Sequence, residues 1–263
     1  MMRKLVLIAI FTAAAGLLLI RQGRVAGAAT DQAGKIVGLV IPHYTLAREA
    51  SVQAIQKIAR EKKYQRIVVL SPNHFRPNSY TFTSARALVD FPIDTETVDS
   101  LAGADRQMVI DQTLIEHDHG LTIPMNYLRA AFPEARFVPI LVAPFFGEEN
   151  LRAWAARLAR VGDEETLYVV SVDMAHDLGE QAAYAKDQET AAAMAGFDYR
   201  KIFEFKDDHL DNPGGVATLL MIMENKGAKT WEQWDRGHGA TVLGDPVVKG
   251  TSFVIGVFRE SDN

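Results

Sequence analysis

The stretch Tyr168-Val169-Val170-Ser171-Val172-Asp173-Met174-Ala175-His176 is the most hydrophobic strand pattern of the chain, and it ends in ionisable side chains. A short apolar run of this kind predicts a strand buried on both faces, in the middle of a largely parallel sheet. In open α/β sheets, ligands bind at the carboxyl ends of the strands. The stretch therefore predicts a central strand and also the edge of the sheet where chemistry would occur.

Two further apolar runs end in the same way. The run Val37–Pro42 leads into His43, and the run Ile67–Asn73 leads into His74. Consecutive parallel strands usually lie close in space, so His43 and His74 are predicted to face each other. Together with His176, they indicate a metal site or an acid–base site. For each histidine taken alone, a hydrogen-bonded residue at the sheet edge is the commoner alternative.

The remaining pattern predicts a single α/β domain, in which helices flank a largely parallel central sheet. Predicted helices cover residues 46–62, 123–132, 148–161, 180–195 and 213–223, and predicted strands cover 35–41, 66–70, 137–142 and 167–172. Other segments predict a strand at 80–83 and helices at 98–101 and 107–113. The segments 230–234, 240–243 and 252–258 predict closing antiparallel strands at the C-terminus.

Charge, cysteine content and missing motifs argue against several classes of function. The formal net charge of −5 and the lack of a basic patch argue against nucleic-acid binding. The chain has no cysteine, so a metal site would have to use histidines and carboxylates. The sequence contains no Gly-rich phosphate-binding loop. It also contains no Gly-x-Ser-x-Gly motif, which disfavours a serine hydrolase.

The N-terminal sequence predicts a targeting segment. Residues 1–29 combine a basic start, the apolar run Leu5–Ile20 and small residues at Ala26–Ala29. This pattern is typical of a secretory signal peptide, and an uncleaved membrane anchor is the alternative. Residues 30–35 are then a linker, and residues 36–263 form the α/β domain. We expect the domain to lie outside the cytoplasm, either exported or anchored, with membrane contact only through an uncleaved anchor.

Several other ionisable residues are candidates for the site. The cluster Glu116-His117-Asp118-His119 precedes a predicted helix and forms either a solvated loop or one wall of an active site. Asp173 and His176 are three residues apart and could share a hydrogen bond that orients the imidazole as a general base. His209 precedes the helix that begins at Pro213, where the helix dipole would keep the imidazole neutral for a metal. Each of these residues could instead lie in an ordinary solvated turn.

In order and approximate spacing, these segments resemble the Memo family, whose bacterial and archaeal members are called AmmeMemoRadiSam system protein B. The resemblance rests on Pro42-His43, Ser71-Pro72-Asn73-His74, Glu116-His117, Phe137–Val142, Ser171-x-Asp173-x-x-His176 and Asn212-Pro213-x-Gly215-Val216. It implies a fold similar to that of the class III extradiol ring-cleaving dioxygenases, which hold non-haem Fe(II) at the edge of a sheet.

The resemblance also implies roles for particular residues. His43 and His74 match metal ligands, and His209 stands where the family has a cysteine ligand. His176 matches an acid–base residue, with Asp173 beside it. Gly120 and Thr122 stand where the family often has Glu and His, a difference that bears on substrate recognition.

The resemblance therefore implies a metal-dependent oxidoreductase of dioxygenase-like architecture. The metal is expected to be divalent, with Fe(II) favoured over copper or zinc, and the substrate is expected to be a small molecule. We expect the substrate-binding residues to be Asn73, Glu116, His117 and His119. The alternatives are a metal-binding or signalling module without turnover and a metal-assisted hydrolase.

Overall fold

The apolar runs of the sequence form the middle of a mixed sheet in a computed structural model of the protein. The structure describes residues 34–77, 81–104, 108–142, 147–245 and 248–260. The predicted signal peptide or anchor, and most of the predicted linker, lie outside the described residues. The strands are β1 (Ile36–Ile41), β2 (Arg66–Pro72), β3 (Phe82–Ser84), β4 (Met108–Ile110), β5 (Arg136–Val142), β6 (Thr166–Ser171), β7 (Thr230–His238) and β8 (Ser252–Arg259).

The strand order across the sheet is β4-β3-β5-β2-β6-β1-β8-β7. The four central strands β5, β2, β6 and β1 are parallel to one another. On one side, β8 pairs antiparallel with β1, and β7 pairs antiparallel with β8. On the other side, β3 pairs antiparallel with β5 and parallel with β4. The predicted parallel centre and the closing antiparallel strands are confirmed.

Helices cover both faces of the sheet. They are α1 (Arg48–Glu61), α2 (Thr95–Ala104), α3 (Gln112–His117), α4 (His119–Ala131), α5 (Glu148–Val161), α6 (Glu180–Ala195), α7 (Tyr199–Glu204), α8 (Pro213–Lys226) and α9 (Gly239–Leu243). Strand side chains alternate between the faces. Tyr168 joins a core cluster with Trp154 of α5, and Val169 joins the opposite cluster with Leu128 of α4. Burial of one such apolar side chain stabilises the fold by about 1.5–3 kcal/mol.

Two local predictions were wrong. Residues 240–243, predicted as a strand, belong to helix α9, because the Nδ1 atom of His238 caps this helix by accepting from the backbone N–H of Ala240. The helix ends at Gly244, where φ is 68°. In the segment predicted as a helix at 107–113, residues Met108–Ile110 instead form β4 against β3. These elements are short, so pairing with neighbours outweighs their local preference.

The topology brings several segments to one edge of the sheet. The carboxyl ends of β1, β6 and β2 lie next to one another there, with β6 between the other two. Although β6 separates β1 from β2, both strands end at this edge, which brings His43 and His74 together as predicted. The junction between α3 and α4 and the loop before α8 also reach it, through hydrogen bonds to His74 and Asp173. Among the described residues, no helix is long and apolar enough to cross a membrane.

Candidate metal centre

Three imidazoles meet at the carboxyl edge of the sheet. His43 follows β1, His74 follows β2, and His119 begins α4. The ring centroids of His74 and His119 are 4.0 Å apart, and the His43 ring lies 4.9 Å from His74 and 5.4 Å from His119. One nitrogen from each ring lies within 4.8 Å of the others. His43, His74 and His119 therefore form a three-histidine group that could hold a metal ion.

The tautomer of His43 follows from a chain of hydrogen bonds that begins at a proline. Pro124 lies inside α4 and has no N–H, so it cannot bond the carbonyl of Gly120 four residues earlier. The Ser171 hydroxyl donates to that carbonyl instead, at 2.5 Å. Because its hydrogen is used there, Ser171 Oγ accepts from the His43 Nδ1–H at 2.9 Å. The unprotonated Nε2 of His43 then faces the other imidazoles.

Asp118 fixes His74 in the same way. The Asp118 carboxylate is fully buried and accepts from the Nδ1 of His74 at 2.8 Å and from its backbone N–H at 3.1 Å. It also accepts from the backbone N–H of Gly120 and so caps α4. Gly120 is required here, since a Cβ atom would lie 2.7 Å from the His74 ring. A carboxylate that orients a ligating histidine is the usual support of a metal site.

Asp211 supplies a carboxylate oxygen to the group. Its Oδ2 atom lies 3.0 Å from the Nε2 of His43 and 3.8 Å from the Nε2 of His74. This oxygen is buried, and among the described residues it has no hydrogen-bond partner of acceptable geometry. Its Oδ1 atom accepts from the backbone N–H of Asp173. The lone pairs of two imidazoles thus converge on a carboxylate oxygen, an arrangement that requires a cation or protons between them.

The donor set fits a metal ion. Neighbouring ligands on an octahedral ion with bonds of about 2.1 Å are about 3.0 Å apart. The Nε2 of His43 and the Oδ2 of Asp211 have this separation, 3.0 Å. Imidazole nitrogen and carboxylate oxygen suit iron, zinc and manganese, whereas thiolate, which would suit Cu(I), is missing from this chain.

The ionisable side chains around the three-histidine group favour the binding of a cation. Burial would lower the pKa of His43, but the neighbouring Asp211 and Asp173 outweigh it and raise the pKa. Burial would raise the pKa of Asp211, but the adjacent imidazoles of His43 and His74 hold it well below its ordinary range. For His119, burial and the nearby charges of His74 and His43 lower the pKa, which keeps this ring neutral, as a metal ligand must be.

The structure does not bring His209 into this group. Its ring stacks on Phe205 with centroids 4.1 Å apart. Its Nδ1 lies 3.0 Å from Asp208, and its Nε2 lies 3.4 Å from Glu189. The backbone N–H of His209 donates to the carbonyl of Lys206 and closes a turn just before Leu210. The third imidazole is therefore that of His119, predicted as a substrate-binding residue, and not that of His209.

Asp173 and His176 both lie close to the group, but they do not form the expected pair. The Oδ1 atom of Asp173 accepts from the backbone N–H groups of His43 and Tyr44, and its Oδ2 lies 3.5 Å from the Nε2 of His43. Among the described residues, the Nδ1 of His176 is buried without a hydrogen-bond partner. His176 interacts electrostatically with both Asp173 and Asp211. It therefore lies near these carboxylates with one ring nitrogen to which no described residue hydrogen-bonds.

The other predicted substrate-binding residues are separated. The Nδ1 of His117 bonds the carbonyl of Thr113 on the exposed side of α3. Glu116 lines a cavity beside α4. Asn73 is buried beside His74; its Oδ1 accepts from the backbone N–H of Arg76, and its Nδ2 has no partner among the described residues. Asn73 and His117 thus lie outside the cavity wall that Glu116 lines, and His119 belongs to the three-histidine group.

Reasoning from the sequence missed the roles of three residues. Asp211 lies directly before the helix cap Asn212, and Asp118 lies between two histidines. Each position was visible as an acidic residue near the site, but nothing local showed where its carboxylate would point. Ser171 lies at the end of the central strand, and the local pattern predicted no role for its hydroxyl. Its hydroxyl gains a role only because Pro124 leaves a carbonyl free.

After a chelator has removed the metal, the stability of the protein should depend on pH. Burial would lower the pKa of His74, but the Asp118 hydrogen bond and Asp211 raise it to about 9. A raised pKa stabilises the fold fully below the unfolded value of about 6.5, and this stabilisation is lost as pH rises toward 9. The free energy of unfolding of the metal-free protein, measured in urea from pH 6 to 9.5, should show this loss. A His74→Gln variant should not show it. An equal pH dependence of the free energy of unfolding in both proteins would contradict the assignment.

Comparison with known proteins identifies a family. A family model described as Memo-like protein matches residues 21–236. A MEMO1 family protein of Methanococcoides burtonii is 24% identical over 231 residues, which cover 84% of this chain and 86% of the relative. A MEMO1 family protein of Nitrosopumilus maritimus is 23% identical over 234 residues, which cover 84% and 82%.

A solved structure shares the fold. The crystal structure of an uncharacterized protein from Escherichia coli K12 has a TM-score of 0.54 to this chain at 13% sequence identity, and the match covers 86% of this chain and 100% of that one. At this identity, the likeness concerns the fold alone. The family model, in contrast, spans most of the sequence, including His43, His74, His119 and Asp211. The chain belongs to the Memo family.

Proposed function

We propose that this protein is a metal-dependent oxidoreductase that uses non-haem Fe(II). The observation that carries the proposal is the convergence of His43 Nε2 and His74 Nε2 on the unpartnered Oδ2 of Asp211. Two histidines and one carboxylate with open positions are typical of non-haem Fe(II) oxygenases. The resemblance to the class III extradiol dioxygenases supports the same metal and the same class of reaction.

In this proposal, His43, His74 and Asp211 hold the metal, and Asp118 and Ser171 fix the two imidazoles. The bound metal would supply a site for O2 and for an electron-rich substrate, with electron transfer between them. His176 accepts or donates the substrate proton, because its Nδ1 has no other partner among the described residues. Asp173 stabilises the resulting positive charge on the imidazole.

A second candidate is metal binding without turnover. His119 would add a fourth protein ligand to the set of His43, His74 and Asp211. Zinc sites with four protein ligands are generally structural, whereas catalytic sites keep an open position. The candidates therefore differ in whether His119 binds the metal or only lines the site.

The experiment that tests the proposal measures metal content and O2 consumption together. Protein loaded anaerobically with Fe(II) should consume O2 with a catechol-like substrate panel, and protein loaded with Zn²⁺ should not. The His176→Ala variant should keep one metal per chain but lose roughly 10²–10⁴-fold in turnover, the range of acid–base catalysis. Tight metal binding with no O2 consumption across the panel would favour the binding function. Turnover unchanged in His176→Ala would refute the role of His176.

A further inference from the structure

A cavity of about 340 Å³ lies beside the pair of helices α3 and α4. Small-molecule sites commonly have volumes of about 300–1,000 Å³. The wall combines apolar, acidic and neutral polar side chains, namely Leu88, Val89, Asp90, Phe91, Glu116, Thr122 and Asn126. The first four residues form a tight turn, closed by a hydrogen bond from the backbone N–H of Phe91 to Leu88.

The cavity is placed along α4 from the metal centre. His119, Thr122 and Asn126 follow one another at helical positions i, i+3 and i+7, so they share one face of α4. At 1.5 Å per residue, Thr122 lies about 4.5 Å and Asn126 about 10 Å along the helix axis from His119. A ligand of ordinary size that reaches the histidine group along this face would therefore extend into the cavity.

Among the residues that the structure describes, no lysine or arginine forms an ion pair with the two carboxylates of the cavity, Asp90 and Glu116. One oxygen of Glu116 accepts from the neutral amide of Gln112 at 2.8 Å. The nearby guanidinium of Arg129 donates to the backbone carbonyl of Asp90 and not to its carboxylate. Two negative charges thus line one small cavity, where a positively charged group would be attracted to both.

The rest of the wall suits an apolar body. Leu88 and Phe91 contribute to the core cluster beneath the cavity, and Phe91 presents an aromatic ring. Val89, at the tip of the turn, has 91% of its surface exposed, although a polar residue is usual at such a position. The guanidinium carbon of Arg129 lies 5.9 Å from the centroid of the Phe91 ring, so this ring already faces one cation and only the carboxylates are assigned to an ammonium group.

We infer that this cavity binds the amine end of the substrate, and that the substrate is an organic amine with an apolar body. The inference rests on the proposed function, since it takes the remainder of the substrate to lie at the metal centre. Glu116 and Asp90 bind the ammonium group, Leu88 and Phe91 contact the apolar body, and Thr122 and Asn126 offer neutral hydrogen-bonding groups. Specificity for a cation is thus set by residues that do not touch the metal.

The test compares three probes that share a phenylalkyl body. Full-length protein loaded with Zn²⁺ is titrated by calorimetry with 2-phenylethylamine, 2-phenylethanol and 3-phenylpropanoate, which are cationic, neutral and anionic. The amine should bind roughly tenfold tighter than the alcohol, the difference expected for one charge-assisted hydrogen bond, and the acid should bind most weakly. Equal affinities, or preference for the acid, would overturn the inference.

Variants separate the cavity from the metal centre. Glu116→Gln should weaken amine binding roughly tenfold and leave metal content unchanged, whereas Glu149→Gln, which removes an exposed charge on α5, should change neither. His43→Ala should lose the metal and keep the amine affinity. If instead amine binding disappears with the metal in His43→Ala and persists in Glu116→Gln, the amine binds at the metal and the cavity assignment fails. Metal content, measured separately in every variant, tests the proposed function independently.

Discussion

Replacing His74 with alanine is expected to abolish stoichiometric metal binding. His74 presents its Nε2 to the same point as the Nε2 of His43 and the Oδ2 of Asp211, and its ring is held by Asp118. Loss of a residue that only orients a metal ligand weakens metal binding about 10–100-fold. Loss of the ligand itself should therefore weaken metal binding at least ~100-fold. Metal content after anaerobic loading and gel filtration, together with competition against a chelator of known affinity, measures the effect.

The informative control is His209→Ala. The structure pairs His209 with Asp208 and Glu189 and stacks it on Phe205, so this variant should keep one metal per chain. His119→Ala should weaken binding less than His74→Ala if the metal keeps an open position. Metal loss in His209→Ala with retention in His119→Ala would restore the ligand set implied by the family resemblance. It would also contradict the proposed ligand set of His43, His74 and Asp211.

Replacing Asp118 with alanine is expected to give the largest loss of stability at this edge of the sheet. Its buried carboxylate accepts from the Nδ1 of His74 and from the backbone N–H groups of His74 and Gly120. Removing one partner of a buried charged pair costs about 3–5 kcal/mol, because the other groups are left unsatisfied. Denaturant unfolding of metal-free protein should show this loss. Metal affinity should also fall about 10–100-fold, since the His74 ring is no longer fixed.

Asp111→Ala provides the matched control for Asp118→Ala. Asp111 caps α3 by accepting from the backbone N–H of Leu114 at 3.0 Å, as Asp118 caps α4. Loss of a helix cap costs about 1 kcal/mol. Asp111 does not contact the histidine group, and its other partner is the exposed guanidinium of Arg76, at 3.1 Å. The control should therefore lose a little stability and no metal affinity. If the two variants behave alike in both measurements, Asp118 is only a helix cap.

Much of the fold could be predicted from local pattern. The apolar runs of β1, β2, β5 and β6 predicted a parallel centre, because a strand covered on both faces has few polar positions. The same runs placed His43 and His74 at one edge. Local pattern failed for the short segments 107–113 and 240–243, whose structure depends on pairing and capping partners elsewhere in the chain.

The sequence by itself determined the edge of the sheet where the site lies, two of its imidazoles and the exclusion of thiolate ligands. Only the tertiary structure decided that His119 and Asp211 complete the group and that His209 does not. The reason is that strand period and hydrophobicity are local properties, whereas the direction of a loop side chain depends on distant partners. Asp118 bonds His74 across 44 residues, and Asp173 bonds His43 across 130 residues. No spacing along the chain encodes such contacts, because they form only when packing has brought the loops together.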